Sequence, residues 1–100
     1  MLAKPNKTVI EGTVRRVAPS ADGQGHEVEI EVRRNLSAGS SDDFLQPVEG
    51  ANLHLFSADL PGAAVGDVVR ARARLLAGPF GGRTVLEEMK AVSDEKRAND

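Results

Sequence analysis

The sequence predicts a small all-β domain in which five short strands form a barrel or a sandwich. Three observations support this class: apolar and polar residues alternate at a period of two in several segments, turn-forming residues separate those segments, and no long helical pattern occurs. A chain of 100 residues is long enough for one domain with a single core. The aromatic residues are 3 phenylalanines, so the core must be built from Val, Leu, Ile and Ala.

The expected domain covers residues 8–92, between a flexible N-terminus at 1–7 and a flexible, charged tail at 93–100. Five candidate strands lie inside it: Thr8–Val17, His26–Arg34, Ala51–Phe56, Asp67–Leu76 and Arg83–Val92. The last strand alternates poorly, and Leu86–Val92 is also compatible with a short helix. The sequence therefore leaves the end of the domain open between strand and helix.

The second candidate strand has the clearest alternation in the chain. Val28, Ile30 and Val32 face one side and glutamates face the other, which is typical of an antiparallel strand with one face in a core. In the first strand, Gly12 shares the face of its apolar neighbours, and a glycine in mid-strand predicts a bend or a bulge. Asn35–Gly50 has no period and predicts a long loop, which in a compact domain is usually functional or mobile.

Composition argues against catalysis, against a cofactor and against a metal site. The chain has no cysteine, which excludes disulfides and thiolate ligands. It contains no nucleophile elbow, phosphate loop or zinc motif, and Gly78–Gly82 lacks the strand-to-helix context of a phosphate cradle. No apolar run is long enough for a signal peptide or a membrane span, so we expect a soluble, cytoplasmic binding module without a membrane partner.

The net charge of −2 conceals an uneven distribution of charge along the chain. Three arginines alternate along one face of the fourth strand: Arg70, Arg72 and Arg74. They would either follow a phosphate backbone or form a solvated face, and the second is favoured because opposite charges on adjacent strands stabilise such a face without a ligand. Three carboxylates alternate along the second strand: Glu27, Glu29 and Glu31. This acidic row would repel phosphates and argues against tight binding of nucleic acid.

Three stretches carry a family resemblance: Val9–Val17, Leu55–Pro61 with Val65–Arg70, and Phe80–Leu86. Together they resemble the OB fold, in particular the branch of replication protein A and related single-strand-binding proteins. The resemblance implies a five-stranded, partly open Greek-key barrel, which binds single-stranded DNA or RNA. Three features depart from the family: the helix before the fourth strand is reduced to Ala58–Val65, the loop between strands two and three is long, and the paired stacking aromatics are largely missing.

The candidate nucleic-acid-binding residues lie on the second and third strands and in the last hairpin: Arg33, His54, Phe56, Phe80 and Arg83. On the third strand, an outward phenylalanine beside a histidine is a small stacking platform for bases, unless Phe44–Leu45 folds over that ring. In the last hairpin, a phenylalanine beside an arginine would either stack and contact phosphate or cap the open end of the barrel.

Two other functions remain open from the sequence. In the first, the acidic loop Asn35–Gly50 and the exposed edges of the barrel recruit a protein partner or a second copy of the chain. In the second, the domain binds a small oxyanion, because Glu11–Val14 and Gly66–Asp67 resemble the transporter-associated OB-like domains abbreviated TOBE.

Overall fold

The computed structural model describes residues 6–43, 45–59, 62–78 and 81–92, and these residues form strands, turns and loops without a helix. The strands are β1 (Thr8–Pro19), β2 (His26–Asn35), β3 (Asn52–Ser57), β4 (Val68–Gly78) and β5 (Gly81–Ala91). The predicted all-β class is confirmed. The segment Leu86–Val92, which the sequence left between strand and helix, belongs to the strand β5 up to Ala91. Within the described residues, no helix is long and apolar enough to cross a lipid bilayer.

The strands close into a barrel in the order β1-β2-β3-β5-β4, with β4 pairing back onto β1. All neighbours are antiparallel except β3 and β5, which are parallel. This is the strand order of an OB-type barrel, so the predicted fold is confirmed. The β3–β5 seam has the single register pair Phe56↔Val85, so the barrel is least firmly paired at this point.

The core is a cluster of short aliphatic side chains from four of the strands: Ile10, Val14, Val28, Ile30, Val32, Leu55, Val69, Ala71 and Ala73. It includes every apolar residue of the predicted alternation in β2, because consecutive side chains of a strand point to opposite faces. Burying a Val, Leu or Ile side chain stabilises the fold by about 1.5–3 kcal/mol. Without disulfides, this cluster supplies most of the stability.

Gly12 lies at a bulge, as the sequence predicts. The β1–β2 register shifts between Glu11 and Gly12, and Arg33 is the extra residue on the β2 side. A methyl group at Gly12 would lie 2.4 Å from the carbonyl oxygen of Glu31 and 2.6 Å from Cγ2 of Ile30. Only glycine lets β1 approach β2 so closely at the bulge.

Two further bulges turn charged side chains outward. The β1–β2 register skips Arg15, whose guanidinium Nε donates to Glu31 Oε1 at 2.8 Å. The β4–β5 register skips Glu87, which lies 3.4 Å from the Nε atoms of both Arg72 and Arg74. Two arginines of the β4 row, Arg72 and Arg74, therefore find a carboxylate partner on the adjacent strand β5.

The long loop between β2 and β3 is anchored to β1 by Asp43. This carboxylate is only 4% exposed and accepts hydrogen bonds from Thr8 Oγ1 at 2.6 Å, Asn35 Nδ2 at 2.8 Å and the Gln46 backbone N–H at 2.9 Å. Burial alone would raise the pKa of Asp43, but the hydrogen bonds from Asn35, Thr8 and the loop backbone together hold it below its usual value. The start of the loop is therefore a fixed part of the barrel.

The chain before β1 is tied to β4 through Asn6. Its side chain accepts a hydrogen bond from the Leu75 N–H at 2.8 Å and donates one to the Leu75 carbonyl at 3.0 Å. The rest of the termini for which the sequence predicts flexibility, 1–5 and 93–100, lies outside the described residues.

Candidate nucleic-acid interface

An open groove of about 320 Å³ lies where the β1–β2 turn meets β3 and the start of β5. Its walls combine one aromatic ring, one arginine, one histidine, two carboxylates and two hydroxyl groups: Phe56, Arg83, His54, Asp22, Glu27, Ser20 and Thr84. These residues come from four parts of the chain and meet because β3 and β5 lie side by side at the seam of the barrel.

Phe56 and Arg83 form a stacked pair at this groove. The guanidinium carbon of Arg83 lies 4.2 Å from the centroid of the Phe56 ring, within the range of a cation–π interaction. Arg83 also lies 3.6 Å from a carboxylate oxygen of Asp22, and its side chain is 54% exposed. One face of the ring is thus covered by a guanidinium group that itself remains accessible from the solvent.

The β1–β2 turn has a defined shape against this pair. The carboxylate of Asp22 accepts hydrogen bonds from Ser20 Oγ at 2.6 Å and from the Gln24 N–H at 2.9 Å. These two bonds, with the nearby positive charge of Arg83, hold the pKa of Asp22 below its usual value. The aspartate is therefore a fixed anionic acceptor at the rim of the groove.

Gly25 brings the turn into contact with β3. A methyl group at Gly25 would lie 2.4 Å from the Ser57 carbonyl oxygen and 2.8 Å from Cζ of Phe56. The edge of the Phe56 ring therefore packs against the glycine, which leaves no space for a side chain there. The absence of a Cβ at this position allows the turn, the ring and β3 to meet.

Two carboxylates of the acidic row of β2 have polar or charged neighbours. Glu31 is paired with Arg15, and Glu29 accepts a hydrogen bond from Asn52 Nδ2 at 2.9 Å and lies 3.6 Å from His54 Nδ1. Glu27, the remaining carboxylate of the row, lines the groove. With two carboxylates beside one arginine, the groove favours a planar ring that carries hydrogen-bond donors over a bare phosphate.

Three of the predicted site residues, His54, Phe56 and Arg83, line the same groove. Arg33 is exposed at the opposite end of β2, about 20 Å along the strand from Glu27 at the usual rise per residue. Phe80 lies outside the described residues. Phe44 does as well, and so does its expected contact with the Phe56 ring. Leu45 beside it packs against the core.

Sequence reasoning missed two acceptors of this site, Asp22 and Glu27. The sequence around Asp22 predicts only a turn. Glu27 belongs to the acidic row, for which the sequence predicts only repulsion of phosphates. Both reach the groove because the turn folds back onto β3, and the glycine at position 25 is the one local signal of that close approach.

The backbone around the predicted oxyanion segment is already engaged. The Gly66 N–H donates to the Val14 carbonyl at 2.8 Å, and the Val14 N–H donates to the Asp67 carbonyl at 2.9 Å. These donors close the turn before β4 onto β1 and do not point at a vacant anion site. Across the described part of the chain, no three His, Asp or Glu side chains are grouped so that they could hold a metal ion.

Comparisons with protein-family models, with curated proteins and with solved structures found no match to this chain. The fold therefore stands on the barrel itself, and the likeness to the replication protein A branch stays a prediction.

Proposed function

We propose that this barrel is a non-enzymatic module that binds single-stranded DNA or RNA by taking an unpaired base into the groove beside β3. The observation that carries the proposal is the exposed guanidinium of Arg83 stacked 4.2 Å above the Phe56 ring. Unpaired bases stack on aromatic rings and on arginine planes, and each such contact contributes about 1–3 kcal/mol. A base laid on Arg83 would extend the stack that the ring begins.

The carboxylates of the groove make the base, and not the phosphate, the group that enters it. Asp22 and Glu27 accept hydrogen bonds but donate none while ionised. Cytosine, adenine and guanine present exocyclic amino groups to such acceptors, whereas thymine and uracil have none. We therefore expect the groove to prefer amino-bearing bases.

His54 provides a second surface for a neighbouring nucleotide. Its side chain is 72% exposed and lies on the same face of β3 as Phe56, two positions away. Side chains at that spacing are about 7 Å apart along a strand, and imidazole rings stack with bases. The pair would let successive bases of one strand contact β3.

The assembly hypothesis stays a prediction with a weaker structural argument. β1 and β4 pair continuously from Thr8 to Thr13, so closure of the barrel removes their edges over this stretch. Among the described residues, short stretches of β3 and β5 beyond the Phe56↔Val85 pair, and the ends of β1 and β4 beyond their shared register, are left as templates for another strand.

Fluorescence anisotropy with labelled oligocytidine and oligothymidine, at low and moderate salt, tests the nucleic-acid proposal. Arg83→Gln should weaken oligocytidine binding about tenfold, the effect of one lost stacking contact. Arg33→Gln is the matched control, because it removes the same charge at the far end of β2. If neither oligonucleotide binds the unmodified chain even at low salt, where counterion release most favours association, the proposal fails.

A further inference from the structure

A second cavity, of about 300 Å³, opens on the part of the barrel where the start of β1, the start of β4 and the end of β5 meet. Its described lining contains four cationic residues and one carboxylate: Lys7, Arg70, Arg72, Lys90 and Glu88. We call this cavity the basic pocket. It shares no lining residue with the groove beside β3.

Most of the positive charge in the basic pocket has no anionic partner among the described residues. Arg72 is the exception, since it shares Glu87 with Arg74 at 3.4 Å. Lys7, Arg70 and Lys90 form no ion pair within the described part of the chain. Charge that is not neutralised inside a concavity concentrates the positive potential there and attracts anions.

The register of the sheet places like charges opposite each other in this pocket. Arg70 and Lys90 are direct cross-strand partners in the β4–β5 pair. Like charges in that position destabilise a sheet. On the other side of Arg70, the register partner on β1 is Glu11, whose carboxylate accepts a hydrogen bond from Arg34 at 2.9 Å. A bound anion would offset the repulsion between the two cations.

The backbone that forms one wall of the pocket is held in place independently of any ligand. The Lys7 N–H donates to the Asp42 carbonyl at 2.9 Å, and the Val9 N–H donates to Ser37 Oγ at 2.8 Å. The long loop thus fixes the first residues of β1 beside β4. The site needs little backbone rearrangement to receive a ligand, which reduces the cost of binding.

We propose that the basic pocket binds phosphate groups, with a preference for several linked phosphates over a single one. Arginine offers two parallel N–H donors that match phosphate oxygens, and lysine adds a compact point charge. The concave shape and the volume of about 300 Å³ suit a compact polyanion better than the flat surface of an acidic protein. The phosphates come either from a nucleic-acid backbone or from a free polyphosphate compound.

Titration of the full chain with inorganic tripolyphosphate by calorimetry, at low salt, tests this proposal. The double variant Arg70→Gln/Lys90→Gln should bind tripolyphosphate at least about tenfold more weakly, the effect of losing charge-assisted hydrogen bonds. Lys7→Gln should weaken binding less, because it removes a single charge. The matched control is Arg16→Gln/Arg33→Gln, which removes two exposed charges that lie outside the pocket and should leave the affinity within about twofold of wild type.

A thermal-unfolding measurement separates binding from folding. Without phosphate, Arg70→Gln/Lys90→Gln should unfold at the same temperature as the unmodified chain or higher, because the cross-strand repulsion is gone. With tripolyphosphate, the unmodified chain and the control pair should gain the most stability, Lys7→Gln less and Arg70→Gln/Lys90→Gln the least, since a ligand stabilises the folded state in proportion to how tightly that state binds it. Equal gains in all variants would overturn the proposal, as would tighter binding of polyglutamate than of tripolyphosphate.

Competition with labelled oligocytidine identifies the source of the phosphates. If tripolyphosphate displaces the oligonucleotide and Arg70→Gln/Lys90→Gln weakens its binding, the pocket holds a nucleic-acid backbone. If Arg70→Gln/Lys90→Gln loses tripolyphosphate binding but binds the oligonucleotide as tightly as the unmodified chain does, the pocket binds free polyphosphates. Oligonucleotide binding that fails altogether, with tripolyphosphate binding intact, removes the proposal for the groove and leaves this one standing.

Discussion

The groove beside Phe56 and the basic pocket beside Arg70 lie near opposite ends of β5, and their arginines have different neighbours. In the groove, Arg83 rests on an aromatic ring and has a carboxylate partner, Asp22, at 3.6 Å. In the pocket, Arg70 lies opposite Lys90. Arginine thus provides a stacking surface in the groove and an unpaired positive charge in the described part of the basic pocket.

The largest expected effect comes from Gly25→Ala, which should damage the groove and spare the pocket. The added methyl group would overlap the Ser57 carbonyl and the Phe56 ring, and overpacking of this kind costs about 1–3 kcal/mol. Oligocytidine affinity should fall while tripolyphosphate affinity holds, as measured by anisotropy and calorimetry on the folded variant. Equal losses of both ligands would show that the two regions are not independent.

Asp43→Ala should have the next largest effect and should act on the pocket side. It leaves the buried Thr8 hydroxyl without its acceptor, which costs about 1–3 kcal/mol in the free energy of unfolding, and it loosens the loop behind β1. Denaturant unfolding measures the first effect, and tripolyphosphate calorimetry measures the second. Thr8→Val removes the same hydrogen bond from its donor side and should cost less, because no buried hydroxyl is left unpaired.

The same carboxylate predicts a pH dependence of stability. The folded-state pKa of Asp43 lies below its usual value of 3.8, so the native state favours the ionised form. The stability it contributes is therefore present above that usual value and is lost as the pH falls through the lower folded-state pKa. The unfolding temperature of the unmodified chain should fall as the pH decreases through this acidic range. The unfolding temperature of Asp43→Asn should depend less steeply on pH. An unchanged slope in the variant would contradict the assignment.

A smaller effect is expected from Glu87→Gln, which sharpens the charge contrast between the two regions. Glu87 lies 3.4 Å from Arg72 and Arg74, and its neutralisation frees their positive charge beside the basic pocket. Tripolyphosphate affinity should rise about two- to fivefold, and stability should change by less than about 1 kcal/mol because exposed ion pairs contribute little. Calorimetry at two salt concentrations checks this, since the gain must shrink as salt screens the charges.

The smallest expected effect comes from Glu27→Gln, which tests the base preference of the groove. The amide keeps one acceptor oxygen, replaces the other with an NH2 donor and removes a charge that repels phosphate. The preference for oligocytidine over oligothymidine should narrow by a few-fold, while the unfolding free energy changes by less than about 0.5 kcal/mol. A preference that stays the same would place the base away from Glu27.

Local patterns were sufficient to predict the strands with clear alternation and the face that such a strand buries, but not the last strand, whose alternation is poor. Val28, Ile30 and Val32 alternate with glutamates, and a strand has only two faces, so their burial follows from the period alone. Gly12 predicted a bulge for the same kind of reason, since a glycine inside a strand weakens it unless the backbone needs the space. Tertiary contacts were required to place the bulged Arg33 far from the groove.

The sequence by itself determined that this chain is built from strands with aliphatic residues on one face and charged residues on the other, because that alternation depends on neighbours two positions apart. Only the tertiary structure decided that Arg83 lies on Phe56, that the β1–β2 turn supplies Asp22, and that Arg70 lies opposite Lys90. These contacts join distant segments through barrel closure and cross-strand register. Register depends on the hydrophobic patterns of both strands, on the turn that joins them and on bulges such as the one at Glu87, so no single segment encodes it.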